Sequence, residues 1–212
     1  FEKRILSSII LIPISIFFLI QGSVFFLFFL TVLFLATSYE WFKMCKKNNL
    51  LKIFGIIFLL FSFYTAIVIR EEGLKFFFFI VTICIFTDIG GYIFGKILKG
   101  PKLTTISPNK TYSGVMGSFT LSLIAALIFI DYFEIETPQL YNLFFSLFIS
   151  LVSQIGDLII SYFKRKAKLK DTGKILPGHG GFLDRIDGII FVMPITYLCV
   201  LPILINKLEF IK

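Results

Sequence analysis

Charged residues are scarce in this sequence, at 16% of 212 residues, whereas 57% are hydrophobic and 29 are phenylalanine. Soluble domains have about 45–50% apolar residues even when glycine is counted. A soluble protein of this size has too much surface to hide so many apolar side chains from water. The composition excludes a soluble globular enzyme, a disordered tail and a disulfide scaffold. It also argues against a nucleic-acid binder, despite the net charge of +8. We therefore predict an integral membrane protein.

Cysteine and histidine are also rare. The three cysteines, at positions 45, 84 and 199, are widely spaced and form no metal-type motif, which predicts small apolar residues inside a bundle. His179 is the only histidine, which argues against a zinc site. Neither a Walker A loop nor a GxGxxG pattern occurs, so the soluble nucleotide-binding folds are excluded.

Seven apolar segments are candidates for membrane-spanning helices, which need roughly 20 apolar residues each. The predicted fold is an all-α polytopic bundle of about seven transmembrane helices. Gly22 leaves a very tight turn between the first two, and one bent hairpin is an alternative there. The chain begins with Phe1 and not Met, so we expect residues to precede it. The segments are 5–20, 23–42, 53–69, 76–94, 114–130, 140–163 and 188–206.

The lysines and arginines sort to one side of these segments. If the N-terminus is placed inside, 17 of them fall on the inner side and four on the outer side. The positive-inside rule therefore predicts that the N-terminus is inside. The outer loop 131–139 contains three acidic residues and no basic one, in agreement. Much of the net charge is therefore a topology signal, with loops facing an anionic leaflet. The four outer basic residues are Arg70, Lys75, Lys207 and Lys212.

Two inner loops are more specific than a simple connection requires. One runs from 88–96 into 106–114, and the other comprises 161–171 and 177–187. We accordingly divide the chain into N-terminal transmembrane helices, 1–85, and a catalytic transmembrane region, 86–212, that carries both loops.

Four of the six aspartates that the chain contains gather at the inner ends of the predicted spans, or just outside them. Asp88 and Asp157 lie within spans, where an ionisable group is costly and is a functional candidate by default. Asp184 and Asp187 have i, i+3 spacing, which places both on one face if a helix begins near residue 183. Oxygen ligands without histidines suit Mg²⁺, which takes one or two carboxylates plus substrate phosphates. The alternative for Asp88 and Asp157 is pairing with lysines that sets helix register.

Cations and glycines surround these acids. Seven of the 21 basic residues fall between 157 and 187. Gly180 and Gly181 let backbone N–H groups approach an anion closely, and Arg185 offers a bidentate fork for phosphate. His179, between glycines, is predicted to bind phosphate or handle a proton. For Lys166 and Lys168, contact with anionic lipid is the alternative. These parts predict Mg²⁺-dependent chemistry on phosphorylated substrates at the inner membrane face.

These motifs resemble those of the bacterial phosphatidate cytidylyltransferases, also called CDP-diacylglycerol synthases. The elements Gly156-Asp157-Leu158 and Ser107-Pro108-x-Lys110-Thr111 look like family elements, as do Asp88, Gly91 and Tyr92. Ser113 stands where the family usually has glutamate. The chain is short for the family, so we expect further spans at the N-terminus. The most specific part is Ser161, Lys164-Arg165, Lys170-Asp171, Pro177-Gly178-His179-Gly180-Gly181 and Asp184-Arg185-Ile186-Asp187.

The resemblance implies the reaction of CTP with phosphatidate to give CDP-diacylglycerol and pyrophosphate. It implies that Asp157, Asp184 and Asp187 hold Mg²⁺, as two divalent ions or as one divalent and one monovalent cation. It further implies a multi-pass protein of the bacterial inner membrane whose active site faces the cytoplasm. Membrane lipid would be a partner, nucleic acid would not, and a homodimer is an open alternative.

The remaining roles follow from the same resemblance. Lys164, Arg165 and Lys170 would bind the triphosphate, and Asp171 would orient Lys170 or join the metal shell. The rest of the motif residues are expected to contact substrate: Asp88, Ser107, Lys110, Thr111, Ser161, Gly180, Gly181 and Arg185. Two alternatives stay open. One is another CTP-dependent lipid enzyme, such as a polyprenol or phytol kinase or an ether-lipid CDP synthase. The other is a small cation- or proton-coupled transporter.

Overall fold

The computed structural model describes residues 13–46, 48–135, 137–173, 175 and 180–209, with the backbone alone from residue 201 onward. His179 and residues 5–12 of the first predicted span lie outside the described residues. Throughout the described part, regular structure is helical, apart from isolated bridge positions such as the pair Lys102 and Thr111. The prediction of an all-α fold is confirmed.

Within the described residues, eight helical segments follow one another, and the short seventh one leads into the last. They are α1 at 13–21, α2 at Ser23–Met44, α3 at Asn49–Glu72, α4 at Leu74–Ile97, α5 at Tyr112–Tyr132, α6 at Gln139–Lys166, α7 at Leu183–Ile186 and α8 at Ile189–Glu209.

Five of these helices, α2 to α6, are long and apolar enough to cross a membrane, and the apolar part of α8, Ile189–Val200, is shorter. The six predicted spans from 23–42 onward lie at the observed positions. The helices extend beyond them by up to four residues, except that α8 begins one residue after the predicted start at 188. Hydropathy marks only the part of a helix that lies in lipid, whereas polar side chains continue it into the interface. Asn48 is an example, because its side chain caps α3 by accepting from Leu51 N. The total of seven spans stays a prediction.

The turn between α1 and α2 is a sharp break in the backbone. Gly22 has φ +64° there, and the next residue, Ser23, also has a positive φ. The Arg70 guanidinium of α3 donates to the carbonyls of Leu19 and Ile20, which satisfies backbone groups that the end of α1 leaves open.

Apolar side chains cover the outside of the bundle. In the five long helices, no more than 39% of each apolar window is buried inside the protein. Large side chains such as Val24 and Phe54 are 73% and 69% exposed. So much apolar surface is compatible with lipid and not with water, so the chain is a membrane protein.

Helix α4 packs closely against α5 through small residues. A Cβ atom placed on Gly90 would lie 2.3 Å from the Gly117 carbonyl oxygen, so only glycine permits this approach. On the same side of the bundle, Thr87 of α4 donates to Ser150 of α6, and Ser118 of α5 donates to the Thr87 carbonyl. These contacts fix three helices whose ends carry the motif residues.

Candidate active site

A polar cavity of about 440 Å³ lies where the two motif loops meet. The end of α4, the beginning of α5, the end of α6 and the segment around α7 form its walls. It brings together ten of the residues predicted to form the site. They are Asp88, Ser107, Lys110, Thr111, Asp157, Lys164, Asp171, Asp184, Arg185 and Asp187.

Lys110 and Asp157 join the first loop to α6. The Lys110 Nζ atom is 2.6 Å from Asp157 Oδ2, and the side chains are 25% and 29% exposed. Ser161, one turn farther along α6, donates to Asp157 Oδ1 at 3.3 Å. Pairing with lysine was the alternative considered for Asp157, and the structure shows that pairing within the predicted site itself.

Lys164 and Asp184 form a second, more deeply buried ion pair. Lys164 Nζ donates to Asp184 Oδ1 at 2.8 Å, while Asp184 Oδ2 accepts from the backbone N–H groups of Thr172 at 2.8 Å and Gly181 at 3.1 Å. Burial by itself would raise the pKa of Asp184. The Lys164 ammonium and the two N–H donors outweigh that effect and hold the pKa below its usual value.

Asp187 faces Asp157 across the cavity. Burial, reinforced by the neighbouring Asp157 charge, raises the pKa of Asp187 well above its usual value. Gly156 permits this arrangement, because a Cβ atom there would lie 2.9 Å from the Asp187 carbonyl oxygen and 2.7 Å from Phe191 Cδ2. The glycine before Asp157 therefore lets α6 approach the beginning of α8.

The donor set can be compared with the needs of a divalent metal. Asp157 and Asp187 line the same cavity, where the Asp157 charge adds to burial in raising the pKa of Asp187, and two carboxylates are what Mg²⁺ commonly takes from a protein. Both oxygens of Asp184 contact donors of the chain. In the described part of the chain, no group of three or more carboxylate, cysteine or histidine side chains has the spacing of a metal site. Carboxylate oxygens suit a magnesium ion, and because the oxygens of Asp157 also contact Lys110 and Ser161, the participation of Asp157, Asp184 and Asp187 alike stays a prediction.

Sequence reasoning missed Glu40 of α2. Its side chain is 1% exposed and accepts three hydrogen bonds. Thr172 Oγ1 donates at 2.9 Å, Phe182 N at 3.0 Å and Leu183 N at 2.9 Å. The sequence contained a signal for this residue, because Glu40 is an acid within the predicted span 23–42. An ionisable residue within a span is a functional candidate by default, as for Asp88 and Asp157.

In the glycine-containing segment 180–183, backbone N–H groups bind carboxylates of the chain itself. Gly181 donates to Asp184, and the next two residues donate to Glu40. The sequence predicted that this segment approaches a phosphate, and that role stays a prediction. Gly180 has φ +87°, a conformation that favours glycine.

A second, basic cavity of about 820 Å³ lies beside the first, and both include Asp171 in their lining. Phe163 and Leu51 supply part of its apolar surface. We call it the basic pocket, after the five lysines in its lining: Lys43, Lys46, Lys166, Lys168 and Lys170.

Other predicted residues support the loops. Arg165 donates to the carbonyls of Ile106 at 3.4 Å and Leu169 at 3.1 Å, which links the two motif loops. Thr111 caps α5 by accepting from Gly114 N. Ser113, at the position where the family usually has glutamate, donates to the Lys99 carbonyl at 2.7 Å and closes the first loop.

Comparison with known proteins gives a consistent result. Residues 48–202 match the Cytidylyltransferase family. A phosphatidate cytidylyltransferase of Bacillus subtilis (strain 168) is 44% identical over 128 residues, which are 60% of this chain and 48% of that protein. One from Staphylococcus saprophyticus is 40% identical over 135 residues, or 63% and 52% of the two chains. These two alignments thus span about half the length of the relatives. One from Rickettsia bellii is 36% identical over 205 residues, or 92% and 88%.

Proposed function

The chain belongs to the Cytidylyltransferase family, and we propose that it catalyses the formation of CDP-diacylglycerol from CTP and phosphatidate. In this reaction a phosphate oxygen of phosphatidate attacks the α-phosphorus of CTP. The bond from that phosphorus to the β-phosphate oxygen breaks, and pyrophosphate leaves.

One observation supports this proposal most directly. Two ion pairs, Lys110–Asp157 and Lys164–Asp184, lie in the lining of a single cavity at the ends of membrane-spanning helices. Phosphoryl and nucleotidyl transfer depend on positioning and on stabilising charge on oxygen, which lysines and carboxylates at fixed distances provide. The attacking phosphate is already an anion at neutral pH, so the site needs no base to activate it.

The lysines of the polar cavity carry the first part of this role. Lys110 lies on the first loop and Lys164 on α6, so phosphate groups between them would contact cations from two directions. Ser107 also lines the cavity and offers a hydroxyl to the same phosphates. We assign the lipid phosphate to this cavity, with its acyl chains remaining between the helices in the bilayer.

Asp157 and Asp187 would hold a magnesium ion in this cavity, with Asp184 as the third predicted ligand. When bound, the metal supplies a positive charge that neutralises phosphate oxygens and aligns the reacting groups. A cation held by these residues would also offset the burial and the neighbouring Asp157 charge that raise the pKa of Asp187.

The basic pocket is our candidate for the outer phosphates of CTP. Lys170 lies in its lining together with four other lysines, and Asp171 borders both cavities. Asp171 therefore lies between the lysines of the basic pocket and the carboxylates of the polar cavity. In this arrangement the departing pyrophosphate would remain on the lysines while the α-phosphorus faces the lipid phosphate.

We further propose that the site faces the cytoplasm, from which CTP arrives. The distribution of basic residues, 17 on one side of the predicted spans and four on the other, supports this orientation in the bacterial inner membrane.

The direct test uses the full chain in detergent or nanodiscs with labelled CTP, Mg²⁺ and phosphatidate. CDP-diacylglycerol and pyrophosphate should form in equal amounts. A parallel reaction with a polyprenol or phytol separates nucleotidyl transfer from phosphorylation of a lipid alcohol, because a kinase releases CDP. Phosphorylation of the alcohol without turnover of phosphatidate would overturn the proposal.

A further inference from the structure

Glu40 is a buried acid outside both motif loops. It lies on α2, near the end of that helix, and its side chain is almost completely withdrawn from solvent. Neither of the two salt bridges found in the described residues includes it. A carboxylate in such a place is costly unless hydrogen bonds compensate for the lost water. The hydrogen bonds that Glu40 accepts therefore indicate its role.

Its three donors all come from the segment that leads into α7. Oε1 accepts from Phe182 N, and Oε2 accepts from Leu183 N. These two N–H groups belong to the beginning of a helix, where backbone donors have no helical partner. The third donor is the Thr172 hydroxyl, which comes from the other end of the same segment.

Thr172 connects Glu40 to the polar cavity. Its backbone N–H donates to Asp184 Oδ2 at 2.8 Å, and its hydroxyl lies 2.9 Å from Glu40 Oε2 and 3.0 Å from Asp184 Oδ2. A hydroxyl has one hydrogen, so it serves one carboxylate at a time, while the backbone N–H stays on Asp184. Because the backbone N–H of Thr172 is bound to Asp184, any movement of Thr172 that follows a change at Glu40 would also move Asp184, the ion-pair partner of Lys164.

We propose that Glu40 is a positioning residue that fixes Thr172 and the beginning of α7, so that Asp184 meets Lys164 and Asp187 lies in the same cavity as Asp157. It touches none of the reacting groups and acts through Thr172 and two backbone N–H groups. The fixing of these residues by Glu40 does not depend on which reaction the protein catalyses, whereas the expected effect of Glu40 on turnover rests on the proposed function.

The chemistry explains why this position needs a carboxylate of this length. Three donors converge on two oxygens, and both oxygens accept. In Glu40→Gln, one oxygen becomes an NH₂ group, so at least one N–H donor faces another donor. Glu40→Asp keeps both acceptors but is one methylene shorter, so it leaves the same donors out of reach.

Hydrogen exchange measured by mass spectrometry tests the positioning directly in the full chain in nanodiscs. In Glu40→Gln, we expect faster exchange of the amides at 172, 182 and 183, by about 10-fold or more, with unchanged protection in α4 and α5. Thr37→Val is the matched control. Thr37 is also fully buried on α2, but its hydroxyl bonds only to the Leu33 and Phe34 carbonyls of its own helix. A general loss of stability would instead raise exchange in every helix.

Turnover provides the second measurement. A displaced site should lower kcat of Glu40→Gln by about 10- to 100-fold, because small misplacements of reacting groups have effects of that size. Thr172→Val removes the hydroxyl link and keeps the backbone N–H. It should give a smaller loss, and the two substitutions together should be less than additive. Thr172→Val also serves as the test variant if Glu40→Gln does not fold.

Unchanged exchange at 172, 182 and 183 in both variants would overturn the positioning role, whatever the activity. If exchange rises locally but the wild type makes no CDP-diacylglycerol, the positioning role stands and the proposed function fails. If exchange rises locally and turnover is unchanged, Glu40 holds the segment without affecting the site, which overturns the catalytic part of the proposal.

Discussion

Lys164 and Asp184 form an ion pair of 2.8 Å in which the side chains are only 11% and 7% exposed. Lys164 belongs to the last turn of α6, near the beginning of the second motif loop, and Asp184 lies on α7, near the end of that loop. The pair therefore closes that loop at its two ends. It also places a buried cation beside the cavity that we assign to phosphates.

Removing the cation of this pair should destabilise the protein. Lys164→Met keeps the length of the side chain but leaves Asp184 buried without its charge partner, which typically costs about 3–5 kcal/mol. The matched control is Lys166→Met, because Lys166 lies in the same turn and is exposed. Thermal unfolding in detergent should show a clearly lower midpoint for Lys164→Met alone. Equal midpoints for the two variants would show that the pair contributes nothing to stability.

Most of the fold could be predicted from the sequence, because membrane-spanning helices are recognised by long runs of apolar residues. The boundaries differ where polar residues extend a helix past the lipid, as at the end of α6, which runs through Lys166. The convergence of the aspartates was also predictable from their common depth. The same rule covers Glu40, although it lies outside both motif loops.

The pairings within the site could not be predicted. A sequence shows that lysines and aspartates share one side of the membrane, but not that Lys110 meets Asp157 while Lys164 meets Asp184. It also does not reveal that the N–H group of Gly181 is used by an internal carboxylate. Such contacts depend on how elements far apart in the chain pack together, as where Gly156 lets α6 approach the beginning of α8.

Gly156 controls that approach and can be tested by adding a single methyl group. In Gly156→Ala, the new Cβ would lie 2.7 Å from Phe191 Cδ2 and 2.9 Å from the Asp187 carbonyl oxygen, so α8 must shift. We expect a loss of about 1–3 kcal/mol in stability, together with lower turnover. Gly73→Ala is the control, since its nearest neighbouring atom would be 3.8 Å away. Wild-type activity in Gly156→Ala would show that the helix spacing is not critical.

The orientation in the membrane can be tested with single cysteines. In a background in which the three native cysteines are replaced by alanine, Asp131→Cys lies at the end of α5 and Lys96→Cys lies at the opposite, loop-bearing end of α4. Both positions are exposed. The distribution of basic residues predicts that a membrane-impermeant maleimide labels Asp131→Cys in intact cells, and Lys96→Cys only after permeabilisation. The reverse pattern would invert the proposed topology.

The carboxylates of the polar cavity should make both binding and catalysis depend on a divalent cation. We expect Mn²⁺ to bind the full chain, measured by electron paramagnetic resonance, and Asp157→Asn to weaken that binding by at least about 10-fold. Mutations of groups next to a metal commonly have effects of that size. Asp131→Asn is the control, because Asp131 lies at the opposite end of α5.

Formation of CDP-diacylglycerol should stop in excess EDTA and return with Mg²⁺ or Mn²⁺. Full activity in EDTA, or equal Mn²⁺ binding by Asp157→Asn, would refute the metal assignment.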